Sequence, residues 1–187
     1  MAVRKGIRAF IAVDVPDEIA ARVLETAGEL DKKAVRLVAP EQMHITLFFF
    51  EQISEEKAKL VADLLDSIAV SPFEVSLEGI GLFTPRNPHI VYVNIKDDGI
   101  LSEIYDALKD QIKELGLGVE DRAFTPHLTI GRIKTQSDSV QESIRTFAAR
   151  HSMQQFGKFT CGSIKLYKST LTSDGPVHEE LSVKKLP

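Results

Sequence analysis

A chain of 187 residues, 43% of them hydrophobic, is long enough for one domain with a substantial core. A net charge of −4 excludes the broad positive field of a non-specific duplex binder, so nucleic-acid contact is expected at an end or over a few nucleotides. Cys161 is the single cysteine, which excludes an internal disulfide and a multi-cysteine metal site and fits a reducing cytoplasm. No apolar run reaches the ~18 residues of a membrane span and no secretory leader pattern opens the chain, so a cytoplasmic protein without membrane association is expected.

Arg8 to Val15 reads as a buried first strand, and Asp14 with Pro16 suits a helix start. The helix that follows carries Ile19, Val23, Leu24 and Leu30 at approximate helical spacing, with Lys32 and Lys33 near its end. Val35 to Ala39 is a short strand leading through Pro40 to an apolar strand over 43–50. Ser54 caps a second helix with Val61, Leu64, Leu65 and Ile68 as its apolar stripe, stopped by Pro72. Phe73–Phe83 and Ile90–Ile95 form a hairpin across a turn rich in Pro and Asn. Asp97 or Asp98 caps a third helix closed by Gly116, and a strand follows over 126–132. Ser137 or Asp138 starts a fourth helix with Val140, Ile144 and Phe147 inward. Strands around Phe159–Tyr167 and Val177–Val183, joined by a turn at 173–176, finish the chain. This order predicts an α+β fold of mostly antiparallel sheets, repeated approximately twice, with all of 1–187 in one domain.

Two segments share a pattern: His44-Ile45-Thr46-Leu47 and His127-Leu128-Thr129-Ile130. In a strand, side chains alternate faces, so each copy offers one imidazole and one hydroxyl on one side and two apolar anchors on the other. Taken alone, either copy is a partly buried strand face. Two copies in a chain with five histidines suggest two related halves sharing a cleft. Paired imidazoles can take a proton from water and give one to a leaving oxygen near pH 7. Thr46 and Thr129 can bond non-bridging phosphate oxygens, and Arg132 is the first candidate for a bidentate contact. Its strand parity is opposite to that of His127, so a bulge or twist at Gly131 is needed to swing it in. Phe48 and Phe124, the aromatics beside the motifs, are candidate substrate-binding residues. No third ligand stands at zinc spacing in either motif, so no metal site and no cofactor are expected. His89, His151 and His178 read as turn, helix-end and solvated hairpin residues.

These two motifs, in a chain of this length, resemble the two-histidine (2H) phosphoesterase superfamily, and in particular its RNA 2′,3′-cyclic phosphodiesterases, historically named 2′-5′ RNA ligases. Arg8-Ala9-Phe10-Ile11-Ala12-Val13, Gly81-Leu82-Phe83 and the segment from Arg122 through His127 to Arg132 carry the likeness, as do Leu166-Tyr167-Lys168-Ser169 and Gly175. The resemblance implies a bilobal, pseudo-twofold arrangement of two mostly antiparallel sheets with helices on the outside and a central cleft, and metal-free hydrolysis of RNA 2′,3′-cyclic phosphate ends to 2′-phosphomonoesters. By family roles His44 is the proton donor and His127 the proton acceptor. It also implies action on RNA ends or small nucleotides, and since nothing in the sequence argues against a monomer, a monomer with no obligate protein partner is expected. The reverse reaction, 2′-5′ ligation, needs the same residues, and a nucleotide-binding module without turnover is the reading from another class. Two positions depart from the family pattern: Leu37 stands near a place often held by Trp, and His178 where a Tyr is common.

Overall fold

Ala9 to Val13, an apolar run too short for a buried helix, are fully buried in β1 (Ile7–Asp14). The computed structural model describes residues 6–119, 123–173 and 175–187. After Pro16, α1 (Asp17–Ala27) buries Ile19, Ala20, Val23 and Ala27. It ends earlier than its apolar spacing predicts. Leu30 N–H donates to the Ala27 carbonyl at 3.0 Å and the Asp31 carboxylate accepts from Lys33 N–H at 2.8 Å, so Lys32 and Lys33 sit in a turn beyond the helix.

β2 (Val35–Leu37) and a 3-10 turn at Pro40–Gln42 lead into β3 (His44–Ile53). Ser54 accepts from Lys57 N–H at 3.2 Å and caps α2 (Glu55–Asp66). That helix stops well before Pro72, where the Ser67 hydroxyl turns back to the Leu64 carbonyl at 2.6 Å. The expected hairpin forms as β4 (Phe73–Phe83) and β5 (Ile90–Lys96). The buried Asp97 carboxylate accepts from Leu101 N–H and starts α3 (Ile100–Glu114), closed by Gly116 at φ +68°. β6 (His127–Ile133) carries the second motif, and Ser137 caps α4 (Asp138–Arg150).

The stretch expected as one strand over 159–167 is two: β7 (Gln155–Cys161) and β8 (Ser163–Thr172), separated by Gly162, with β9 (Gly175–Lys185) completing a hairpin. All pairings among the described strands are antiparallel. They form one continuous sheet in the order β7-β4-β5-β6-β3-β1-β8-β9, with β2 against β6. The two expected sheets are therefore joined. The joint is the pair Ile45↔Leu128, and beyond it β6 exchanges β3 for β2, with Leu37 opposite Gly131. Each motif strand is flanked by three further strands, so the halves match about the centre.

Strand β7 is one edge of that order and β8 lies next to the other edge, yet the two are consecutive across Gly162. The sheet has to curl until its ends approach, and the right-handed twist of strands favours that curl. Helices pack against it, α1 against β7, α2 against β9 and α4 against β4.

Candidate active site

Ile45 and Leu128 are both fully buried, each contributing roughly 1.5–3 kcal/mol as an apolar side chain withdrawn from water. Their pairing fixes what lies on the other face. Carried one residue either way, the antiparallel register sets His44 opposite Thr129 and Thr46 opposite His127. The histidines thus occupy two diagonal corners of a four-residue patch, with the threonines at the other two. All four line one cavity of about 500 Å³.

His127 Nδ1 lies 2.8 Å from the Thr125 carbonyl. A carbonyl only accepts, so Nδ1 carries the hydrogen and the neutral ring keeps its lone pair on Nε2. Phe83 and Tyr92 meet the ring edge-on, with centroids at 4.7 and 5.5 Å. Tyr92 lies across Gly81, where a Cβ would come within 2.4 Å of the ring. His44 has the corresponding arrangement: a hydrogen bond to the Gln42 carbonyl, a stacked Phe10 at 4.6 Å and His178 edge-on at 5.4 Å. Burial, and then the neighbouring His178, lower the His44 pKa to about 4, with Asp14 and the Gln42 carbonyl opposing. Burial lowers His178 as well.

Behind this ring, the Tyr167 hydroxyl donates to both Asp14 oxygens at 2.8 and 2.9 Å, and Lys165 bridges Asp14 and Glu180 at 2.9 and 3.0 Å. Burial and the Asp14 hydrogen bond push Tyr167 up to about 12, and the two carboxylate partners hold Lys165 above the usual lysine range.

Arg132 lines the cavity, and the register shows how. Val91 pairs with Gly131 but Tyr92 pairs with Thr129, so one residue of β6 bulges out and Arg132 returns to the face of His127. Arg36 stands opposite it across β2, which concentrates positive charge at that mouth of the cleft.

A second bulge moves a predicted residue away. Ala12 pairs with Thr46 and Ile11 with Phe48, so the parity of β3 changes between Thr46 and Phe48. Phe48 is then buried, stacked on Tyr105 at 4.5 Å, and Phe49 takes the place in the cleft. Phe124 stacks on Tyr105, also at 4.5 Å, and does not line the cavity. Arg122 lies outside the described residues.

Sequence reasoning missed Arg8, Phe10, Gln42, Phe49, Ser169 and His178 among the lining residues. The alternation of β1 held a signal for two of them, because Arg8 and Phe10 share the parity of Ala12, which pairs with Thr46. His178, read as solvated, reaches the cleft because Ser169↔His178 sets it beside the cavity-lining strand and Gln42 Nε2 donates to the Pro176 carbonyl at 3.0 Å, tying that hairpin to the first motif. Among the described residues no three His, Cys, Asp or Glu side chains converge as a metal-ligand set. No helix among them is long and apolar enough to cross a membrane.

The chain is similar to known proteins over nearly all its length. A protein named RNA 2′,3′-cyclic phosphodiesterase from Archaeoglobus fulgidus is 34% identical over 95% of this chain and 99% of its own. One of the same name from Methanocaldococcus jannaschii is 31% identical over 92% and 97%. The structure of Escherichia coli LigT complexed with 3′-AMP superposes with a TM-score of 0.79 at 24% identity, covering 97% and 98% of the two chains, and so shares the fold. The family model of the 2′-5′ RNA ligase superfamily matches residues 15–172, a span that holds both histidine motifs and the strands on which they stand. The chain belongs to the 2′-5′ RNA ligase superfamily.

Proposed function

We propose that this protein hydrolyses RNA ends carrying a 2′,3′-cyclic phosphate to 2′-phosphomonoesters, with His44 and His127 as the acid–base pair. One observation carries the reading: the Ile45↔Leu128 register, which gathers an imidazole and a hydroxyl from each half around one cavity. Relatives at 34% and 31% identity bear the name of that reaction.

In this mechanism water attacks phosphorus as His127 Nε2 takes its proton, and the bond from phosphorus to the 3′ oxygen breaks as His44 donates a proton to that oxygen. The products are a 3′-hydroxyl and a 2′-phosphate. Thr46 and Thr129 donate to non-bridging oxygens as charge builds there, and Arg132 holds the phosphate. No step requires a metal. The single Cys161, which leaves no internal disulfide to form, supports a reducing cytoplasmic setting.

The test is turnover of a nucleoside 2′,3′-cyclic phosphate in EDTA from about pH 4 to about pH 9, with the product isomer identified. A bell-shaped profile yielding only the 2′-phosphate is expected. His44→Ala and His127→Ala lose at least ~10²-fold in kcat/KM, and Thr46→Ala and Thr129→Ala about 10²-fold each. Near wild-type turnover in either histidine variant overturns the mechanism.

A further inference from the structure

The cleft contains an arginine that the four-residue chemistry does not use. Arg8 lies on β1 with the parity of Phe10 and Ala12, opposite Ser169 of β8, and lines the cavity. Its guanidinium carbon sits 5.1 Å from the centroid of Phe49, a ring left 44% exposed. Its Nε is buried and is, among the described residues, the one buried side-chain nitrogen or oxygen without a hydrogen-bond partner. None of the ion pairs among the described residues includes it. Lys165, by contrast, is neutralised by two carboxylates.

Position separates Arg8 from the reacting phosphorus. Phe10 stacks on His44, and Arg8 follows one pleat further along β1, roughly 6–7 Å away. A planar fork of donors held against an aromatic face suits a phosphate oxygen pair. The exposed face of Phe49 is a flat aromatic surface on which a base can stack, and Leu171, which is 62% exposed, adds a further apolar side chain to the cavity lining.

We propose that Arg8 and Phe49 form a subsite for the nucleotide preceding the cyclic-phosphate end: Arg8 holds its phosphodiester and Phe49 its base. The inference rests on the functional reading above for where the reacting phosphate sits. It makes an oligonucleotide end, rather than a mononucleotide, the preferred substrate.

The test is binding, measured calorimetrically with two unreactive probes, a nucleoside 3′-phosphate and a dinucleotide ending in a 3′-phosphate. The wild type is expected to bind the dinucleotide about tenfold more tightly, with a steeper salt dependence worth about one phosphate contact. Arg8→Ala removes most of that advantage, Arg8→Lys keeps part of it, and Phe49→Ala reduces it without changing the salt slope. Circular dichroism checks that each variant folds, and the wild-type salt slopes stand whatever the variants do. Equal affinities and slopes for the two probes, or an equal loss on both in Arg8→Ala, overturn the proposal. If the dinucleotide advantage depends on Arg8 but no cyclic phosphate is ever hydrolysed, the hydrolytic reading fails and the subsite stands.

Discussion

His44 enters the cleft as a neutral ring, because burial and His178 hold its pKa at about 4. A donor at that position has to gain its proton as the phosphate arrives, since an anion beside an imidazole favours the charged form. Titration of the ring by NMR is expected to give about 4 in the free protein and a higher value with a nucleoside 2′-phosphate bound. His178→Ala is expected to raise the free value, by removing a like charge and admitting water. A pKa that stays near 4 in the complex would move the donor role to His127. The same shift acts on stability. The unfolded ring takes up its proton near pH 6.5 and the folded one near pH 4, so between these values the unfolded state binds more protons and stability falls as pH falls. The contribution is intact above the unfolded value and is lost by about pH 4, amounting to about 3 kcal/mol. His44→Gln is expected to flatten the acid limb of the melting temperature by a corresponding amount, and an unchanged limb would contradict the shift.

Two bulges decide which side chains face the cleft. At Gly131 an added Cβ would lie 2.7 Å from Val35 Cγ1, so β2 packs against β6 only because the side chain is missing. Gly131→Ala is expected to cost ~1–3 kcal/mol and to weaken phosphate binding more than substitutions on β2, because it displaces the bulge that presents Arg132. A melt and a phosphate titration on the same variant check both effects. That bulge was legible in the sequence, since a glycine stood where the parity of Arg132 demanded a correction. The bulge between Thr46 and Phe48 was not, because Leu47-Phe48-Phe49-Phe50 contains nothing but apolar side chains and period-two reasoning has no marker on which to stop. The motif pairs were readable because a polar residue at every second position of an apolar strand fixes a face. Tyr105, which stacks Phe48 on one side and Phe124 on the other, was readable only as an inward helix position. The division of 159–167 at Gly162 was likewise hidden, because apolar residues continue on both sides and only the pairing partners, β4 for one strand and β1 for the other, separate them.

Across the whole molecule, the two walls of the cleft are fastened twice. They meet at the floor through Ile45 and Leu128, and the chain joins them again across Gly162, where β7 on one flank becomes β8 on the other within a single residue. Scattering in solution is therefore expected to give the same radius of gyration with and without a nucleoside 2′-phosphate. A clear contraction on binding would show that these ties yield.

A body clasped at both front and back offers no hinge to swing on among its described residues. Its discrimination between ligands resembles a mould more than a jaw: the shape is present before the guest arrives, and a finished product leaves without waiting for anything to open.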